Sequence, residues 1–428
     1  MNRHEIEHAM AASPLFAHME KLATGEATLR DSSAKRHHFL PQMLLRRFLP
    51  PGGDRLHQLS TKRGANNPIA VDKAASRRRL YSLLADDEAR DDTVETFLSI
   101  VEDHAASAIE RLLADPTSLA PGDRATLAYF LALQEGRTPG AMDHAGQAAD
   151  MVARLLLTDF ATDPDRFADQ YEELFGEGTD DEVEALRTQV VAALQSGEMS
   201  LAAPERVGLS LAFEVAGPRT VTLMSMRWRV LVPADGEFIT SDRGVAIHDP
   251  TPLLPFVTPS VMSSPTVELS LPLARDRLLM VDHDRAESVL AMVDPAVVQE
   301  LNLHTYGWAV EWIYGSGQKI VVDAYRYARA NRARIQRPRP HPQVILIEAE
   351  PSDDSLARAN LARGWPARLP DDGRMSDYVV IWPDDPDAIR RWREVDELAR
   401  RRAARKLGSE ELKRITEVLE PGALLFGS

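Results

Sequence analysis

The clearest periodic pattern in the sequence begins at Asp91. Over residues 94–112, apolar side chains recur at steps of three and four positions, which predicts a helix with one apolar face. Asp91 is an N-cap candidate, and Pro116 ends the pattern. Three further helical patterns cover residues 121–139, 140–160 and 179–196. We therefore predict an all-helical layer over residues 91–200.

Short runs of alternating or β-branched residues predict strands on both sides of this layer. They cover residues 55–60, 66–71, 80–83, 228–233, 238–240, 267–272 and 278–282. The turn dipeptide Asp235-Gly236 predicts a hairpin between two of them. Residues 204–226 combine strand-forming residues with proline openings, and of the two alternatives we favour helix. A helix from Pro295 is predicted to continue through the aromatic residues up to Tyr314.

A stiff, proline-rich stretch at residues 337–342 (RPRPHP) is the predicted domain boundary. Before it lie a flexible lead-in over residues 1–34 and a main domain over residues 35–336. After it, residues 343–428 form a small α/β appendage with two strands and a highly charged helix over residues 387–407. The predicted fold class is α+β, with a mostly helical layer packed on a small mixed or antiparallel sheet.

Composition limits the possible chemistry. The chain has 428 residues, no cysteine and a net charge of −15, so disulfides, thiolate catalysis and cysteine zinc sites are excluded. The acidic balance argues against broad, nonspecific nucleic-acid binding, although it permits a nuclease with a small, locally basic site. No apolar run reaches the roughly 18–20 residues of a membrane span, and no secretory signal is evident at the N-terminus. These features predict a soluble, cytoplasmic protein.

The segment over residues 35–48, KRHHFLPQMLLRRF, combines adjacent histidines with a proline-started helix. Because side chains alternate along an extended chain, His37 and His38 point in opposite directions, and only one of them faces a site. We favour His38, which lies nearer to the helix start. Such a histidine serves as a metal ligand or general base. A buried imidazole that pins the chain by hydrogen bonding explains the pattern equally well.

The motif HHFLPQMLLRRF resembles the opening of a bacterial and fungal family, domain of unknown function 4238. The resemblance continues in order over residues 35–330 through Tyr81, Glu95, Glu102, Gln134, Arg137, Pro139, Trp228, Thr240-Ser241-Asp242, Pro272-Leu273 and Asn302. Gly244 stands where the family pattern has proline after the TSD element. The resemblance implies candidate positions and no settled activity.

Each candidate position also has a structural explanation. Glu95 and Glu102 share a helix face about 10 Å apart along the axis, too far to chelate one ion directly, and a solvated face is the simpler interpretation. Gln134 and Arg137 also share a face, and Arg137 either binds an anionic substrate or caps its helix. Asp242 follows a strand, where catalytic carboxylates occur, but an Asp turn bonded to its own backbone is almost as good an explanation.

Two hypotheses follow. In the first, the protein is a metal-assisted, nuclease-like hydrolase of phosphodiester bonds that uses Mg²⁺ or Mn²⁺. Its catalytic residues are His38, Asp242 and Glu95; its substrate-binding residues are Arg137, Gln134 and Ser241; its metal ligands are His37, His38 and Glu102. In the second, the protein is a non-enzymatic sensor or interaction module, in which the same residues are structural and the C-terminal tail binds a protein partner.

Overall fold

The computed structural model describes residues 1–29, 36–84, 90–196, 205–248, 262, 266–283, 289–335, 343–346 and 378–381. The chain divides into two compact units. The first comprises residues 1–143, 205–250 and 257–338, and the second comprises residues 144–204, 251–256 and 339–428. The fold class is α+β, as predicted. Among the described residues, no helix is long and apolar enough to span a bilayer.

The N-terminal segment, expected to be a flexible lead-in, contains two helices: α1 (Arg3–Ala11) and α2 (Pro14–Ala23). Asn2 and Glu5 form a capping box at the start of α1, which satisfies amide groups that would otherwise lack partners. Ile6 and Leu15 are buried in the main hydrophobic core. Capped ends and an apolar stripe therefore give this polar segment an ordered, packed structure.

The helices predicted within residues 91–200 form, and α7 is one further helix among them. The helices of this part of the chain are α3 (Gln42–Leu45), which leads into a 3₁₀ turn at Arg46–Phe48, then α4 (Thr93–Ala114), α5 (Pro121–Gly136), α6 (Pro139–Thr162), α7 (Pro164–Phe175), α8 (Asp180–Ser196) and α9 (Glu205–Ser225). In the first unit α5 packs between α4 and α9 and is buried on nearly every face. The favoured assignment of residues 204–226 as helix is confirmed, even though Pro218 lies inside α9.

The described residues of the first unit also contain two sheets and two short ribbons. The strands are β1 (Arg36–His38), β2 (Arg55–Ser60), β3 (Asn66–Ala70), β4 (Ser76–Arg78), β5 (Leu83–Leu84), β6 (Arg90–Asp91), β7 (Arg227–Pro233), β8 (Thr240–Ser241), β9 (Ala246–His248), β10 (Glu268–Ala274), β11 (Arg277–Asp282), β12 (Leu290–Val293) and β13 (Trp312–Gly315). The larger sheet has the order β12-β7-β11-β10-β9 and is mixed, because β12 runs parallel to β7. The smaller sheet, β3-β2-β13-β8, is antiparallel. β1 pairs with β4, and β5 with β6.

The predictions of a hairpin at Asp235-Gly236 and of a helix up to Tyr314 are wrong. The expected hairpin at Asp235-Gly236 does not form, because β7 pairs with β11 and β12 whereas β8 pairs with β13. The helix from Pro295, α10 (Pro295–Trp308), ends before the last aromatic residues. Those residues form β13, the strand between β2 and β8, where β-branched and aromatic side chains fit well. A further helix that the sequence did not predict, α11 (Gln318–Ala330), follows.

The second unit contains α7 and α8, whose apolar side chains form a small core around Phe167. It also contains β14 (Gln343–Leu346) and β15 (Tyr378–Ile381), which pair antiparallel and fall within the two predicted strands of the appendage. The predicted charged helix over residues 387–407 lies outside the described residues. The domain boundaries proposed from sequence stay a prediction.

Candidate functional site

The β1–β4 ribbon fixes the orientation of the adjacent histidines. His37 lies opposite Arg77, and its side chain is fully buried. The backbone N–H of Tyr81 donates a 3.0 Å hydrogen bond to Nδ1 of His37, and the two rings stack with centroids 5.8 Å apart. The turn that brings Tyr81 back to His37 replaces most of the strand predicted over residues 80–83. The ribbon thus carries one histidine into the interior.

Glu95 lies in the first turn of α4, beside this histidine. Its carboxylate Oε2 is 3.8 Å from Nδ1 of His37, and 14% of the side chain is exposed. The start of α4 is tied to the Tyr81 turn, because Ser82 Oγ donates a 2.5 Å hydrogen bond to Asp92, the residue before the helix. The helix start and the ribbon therefore hold Glu95 and His37 next to each other.

Arg137 joins the other candidate residues. Its side chain is 2% exposed, with Nη2 2.7 Å from Oε1 of Glu102 and Nε donating a 3.0 Å hydrogen bond to Oε1 of Gln134. The Tyr81 hydroxyl donates to the Arg137 carbonyl over 3.0 Å. Gln134 in turn donates to the Phe39 carbonyl over 2.8 Å. We call the six connected residues the Glu95 cluster: His37, Tyr81, Glu95, Glu102, Gln134 and Arg137.

The electrostatics of the cluster single out Glu95. Burial raises the pKa of its carboxyl to about 7, and repulsion from Glu102 adds to the shift, while Arg137 opposes it. Burial also raises the pKa of Glu102, against the attraction of the guanidinium of Arg137. A carboxyl with a pKa near neutrality exchanges protons readily at physiological pH, as a general acid or base must. Glu95 is therefore the candidate proton-transfer group.

His38 lies on the other face of the ribbon from His37, as alternation along β1 requires. Burial lowers the pKa of His38, and its Nδ1 lies 3.4 Å from Nε2 of Gln42. Sequence reasoning favoured His38 for the site, but His37 is the histidine that contacts Glu95. Nδ1 of the fully buried His37 accepts the backbone N–H of Tyr81. His37 therefore has the structural role that the sequence also allowed, in which a buried imidazole holds the chain by hydrogen bonding.

Asp242 holds a loop. Its carboxylate accepts hydrogen bonds of 2.8–2.9 Å from the backbone N–H groups of residues 310–312, and its own N–H donates to the Trp312 carbonyl. Burial raises the pKa of Asp242, and these three donors oppose the shift. Ser241 is buried in β8, and its Oγ accepts the N–H of Arg243 over 3.3 Å. Neither side chain makes a described hydrogen bond to the Glu95 cluster.

A glycine explains why the TSD loop departs from the family pattern. Gly244 has a φ of +75°, a value that proline, whose φ is fixed near −65°, cannot adopt. An added Cβ would also lie 2.7 Å from Cδ1 of Leu40. Gln134 donates to the Arg243 carbonyl over 3.3 Å, beside this turn. The loop therefore reaches the cluster through its backbone.

The described donor groups near the Glu95 cluster do not form the expected Mg²⁺ or Mn²⁺ site. Among the described residues, no three carboxylate or histidine side chains are grouped as a metal ion requires. Glu102 is paired with Arg137, and Nδ1 of His37 accepts the Tyr81 N–H, so both proposed ligands have other partners. The described residues thus do not fit the ligand set His37, His38 and Glu102.

Sequence reasoning did not include Tyr81, Ser82 or Asp92 among the site residues. Tyr81 connects His37 to Arg137 through its backbone N–H and its hydroxyl. The signal for Tyr81 was its place in the family pattern. For Ser82 and Asp92 the signal was weaker, because a serine eleven residues before the first residue of a helix has many possible partners.

Comparison with known proteins identifies a family and no activity. The family model described as "Protein of unknown function (DUF4238)" matches residues 36–319. No curated protein and no solved structure matches the chain significantly. The matched range contains every residue of the Glu95 cluster.

Proposed function

Because the chain belongs to the DUF4238 family of proteins of unknown function, whose description names no activity, we propose a function from the geometry of the Glu95 cluster. We propose that the protein is a hydrolase of phosphodiester bonds in which Glu95 transfers the proton. One observation carries this proposal: a partly exposed carboxyl with a pKa of about 7. Asp242 accepts three backbone N–H groups and Glu102 is paired with Arg137, whereas the described side-chain contact of Glu95 is with His37.

The proposed step needs one proton acceptor. The ionised form of Glu95 accepts a proton from a water molecule as the water oxygen attacks phosphorus. The P–O ester bond then breaks, the departing alkoxide takes a proton from solvent, and the products are a phosphate monoester and an alcohol. General base catalysis of this kind contributes about 10²–10⁴-fold to the rate. The step as proposed uses no metal ion, in keeping with the donor groups of the cluster.

The other cluster residues position Glu95. His37 packs against its carboxylate, and the Glu102–Arg137 pair sets the charge around it. Arg137 is 2% exposed and already has two side-chain partners. Its proposed role therefore changes from binding the substrate anion, as the sequence suggested, to balancing Glu102.

The experiment measures cleavage of single-stranded and double-stranded nucleic acid by the purified protein, with and without a chelator. We expect cleavage that persists with the chelator and falls about 10²–10⁴-fold in Glu95→Gln. Glu110→Gln, an exposed glutamate on the same helix, is the matched control and should keep full activity. Equal activity of Glu95→Gln and the native protein, or no cleavage of any substrate, would overturn the proposal.

A second candidate function is non-enzymatic, as a sensor or interaction module. The observation that favours it is that three of the candidate side chains are bonded to the backbone of the fold: Tyr81 and Gln134 donate to backbone carbonyls, and Asp242 accepts backbone N–H groups. On this alternative the native protein cleaves none of the nucleic-acid substrates, and Glu95→Gln changes only the stability of the fold. A protein partner for the C-terminal tail belongs to this alternative and stays a prediction.

A further inference from the structure

Two histidines outside the Glu95 cluster lie face to face in the first unit. His248 is the last residue of β9, and its ring stacks on that of His304 in α10, with centroids 3.9 Å apart and planes inclined by 8°. Both residues are partly buried. Two imidazolium cations at this distance repel each other strongly where water is largely excluded, whereas uncharged rings do not. The contact therefore depends on the protonation of the pair.

The stack connects the edge of the larger sheet to a helix. β9 is an edge strand of that sheet and pairs with β10 over three residues. The buried residues next to the two histidines in the chain, Ile247 and Leu303, belong to different hydrophobic clusters. At the end of β9, the histidine stack is therefore a contact with α10 that a shared apolar cluster does not replace.

The surroundings of His248 can accommodate one proton on the pair. Glu268 on β10 lies directly opposite His248, so the two side chains are on the same face of the sheet. Burial raises the pKa of Glu268, and attraction to His248 opposes the shift. Asp282 also raises it, while Arg229 and Arg227, which pair with Asp282, lower it. A protonated His248 therefore has a carboxyl group beside it.

The surroundings of His304 disfavour a second proton. Glu300, one turn earlier on α10, already accepts hydrogen bonds from Tyr327 and Arg334. Burial lowers the pKa of His304 to about 4, and repulsion from His248 adds to the shift, as Arg334 does, while Glu300 opposes it. β8, which also packs against α10, consists of a threonine and a serine. The two rings are therefore not readily charged at the same time.

We infer that the His248–His304 stack is an acid-sensitive latch, which holds the end of β9 against α10 while the pair carries at most one positive charge and opens when both rings are protonated. Opening separates the two charges and hydrates them. In the open state each histidine titrates near its ordinary pKa of about 6.5, so the closed state binds fewer protons below this pH. The closed latch is favoured above about pH 6.5 and is lost as the pH falls toward about 4. This inference does not rest on the proposed hydrolysis.

The experiment is hydrogen–deuterium exchange of the full-length protein at about pH 7.5 and about pH 5, on the two sides of the ordinary histidine pKa, with rates corrected for the intrinsic effect of pH. We expect the backbone N–H groups of β9 to exchange about tenfold faster at the lower pH, while those of the buried helix α5 keep their protection. His304→Phe keeps an aromatic ring in the stack without the charge, so this difference should disappear. His57→Phe, at a partly buried position of β2, is the matched control and should behave like the native protein.

His248→Phe tests the coupling between the two rings. In an NMR titration of the histidine rings, His304 should have a higher pKa in this variant than in the native protein, because the repulsion from His248 is removed while the stack remains. An unchanged pKa of His304 would overturn the latch, since burial alone would then account for the shift.

The exchange data can contradict the latch in three ways: equal exchange of β9 at both pH values in the native protein, a pH effect that survives in His304→Phe, or one that is also lost in His57→Phe. If the phenylalanine variants do not fold, the native protein decides the question. Faster exchange of β9 must then follow the protonation of His304 in the NMR titration, and exchange that rises over a different pH range would contradict the latch.

Discussion

The titration of the Glu95 carboxyl can be measured without any substrate. Its pKa is raised from 4.5 to about 7 in the folded protein, so between these values the folded state holds a proton that the unfolded state has lost. The free energy of unfolding therefore falls as pH rises from about 4.5 to about 7. A pKa shift contributes about 1.4 kcal/mol per unit to the free energy of unfolding. Because Glu95 is partly exposed, we expect less than this full effect, a decrease on the order of 2 kcal/mol over this pH range.

Urea denaturation of the native protein and Glu95→Gln across this pH range tests the shift. The difference between the two isolates Glu95 from other groups that titrate in the same range. Glu95→Gln should lack this part of the pH dependence, and Glu110→Gln should retain it. Parallel stability curves for the native protein and Glu95→Gln would show that the pKa of Glu95 is close to its ordinary value.

Substitution of Asp242 tests whether its carboxylate has a structural or a catalytic role. An asparagine side chain has one acceptor oxygen and an N–H₂ group that can only donate. In Asp242→Asn this one oxygen must serve the three backbone N–H groups that the carboxylate now accepts, so at least one of them loses its partner. We expect a loss of about 3 kcal/mol in the free energy of unfolding, with the activity per folded molecule unchanged. Asp235→Asn, at an exposed turn in the same segment, should change stability by less than about 0.5 kcal/mol. An Asp242→Asn protein of native stability without activity would restore the catalytic assignment.

At the scale of single residues, the sequence predicts contacts between neighbours in the chain better than contacts between distant residues. Alternation along β1 correctly separated His37 from His38, but it could not say which face was buried, because that depends on Tyr81 and Glu95, more than forty residues away. Asp242 was predicted to be catalytic, with a bond to its own turn as the structural alternative. Its partners are nearly seventy residues further along the chain, and no local pattern identifies them.

Helix α9 allows a test of helix interiors, because it contains two glycines in contrasting surroundings. A Cβ added at Gly217 would meet no atom within 4 Å, whereas one at Gly208 would lie 2.8 Å from the Met142 backbone. We expect Gly217→Ala to raise the free energy of unfolding by about 1 kcal/mol, since glycine is a poor helix former. Gly208→Ala should lower it by about 1–3 kcal/mol through overpacking.

Thermal and urea unfolding of both variants measure these opposite signs. Both variants replace glycine by alanine in the same helix. The helix propensities of the two residue types therefore cannot explain changes of opposite sign in the free energy of unfolding. If both variants were stabilised, α9 would not approach Met142 as closely as the structure indicates. If both were destabilised, Gly217 would have a role outside the helix itself.

At the scale of elements, long amphipathic patterns were the most informative. The helices α4, α5, α6 and α8 were predicted because their apolar stripes extend over many turns. Short aromatic runs were not decisive: the residues of β13 continue the pattern of α10, and only pairing with β2 and β8 makes them a strand. Strand partners in general depend on which surfaces meet, so the two sheets could not be separated from sequence.

At the scale of the molecule, the division into units is not continuous along the chain. The first unit ends at residue 338, next to the RPRPHP stretch, yet residues 144–204 belong to the second unit. The division at residue 143 falls inside α6, which begins in the first unit and ends in the second. A helix that continues across the division has no linker there, so no change in composition marks it. All residues of the Glu95 cluster lie in the first unit.

This distribution predicts the effect of removing the C-terminal part of the second unit. In a chain ending at Pro338, the main hydrophobic core and the Glu95 cluster keep all their described residues. Among the described parts of residues 339–428, β14 and β15 pair with each other, and β14 contacts α8 of the same unit. We expect the melting temperature of the first unit to change by no more than about 2–4 °C, with the pH dependence assigned to Glu95 intact.

Differential scanning calorimetry of the truncated and full-length proteins measures the melting temperature. Urea unfolding across pH measures the pH dependence assigned to Glu95. Glu95→Gln in the truncated chain is the internal control, since it should remove the same part of the pH dependence as in the full-length protein. A truncated chain that folds but no longer shows this dependence would mean that residues 339–428 help to set the pKa of Glu95. A chain that does not fold would mean that the first unit requires those residues for stability, because truncation leaves its own segments unchanged.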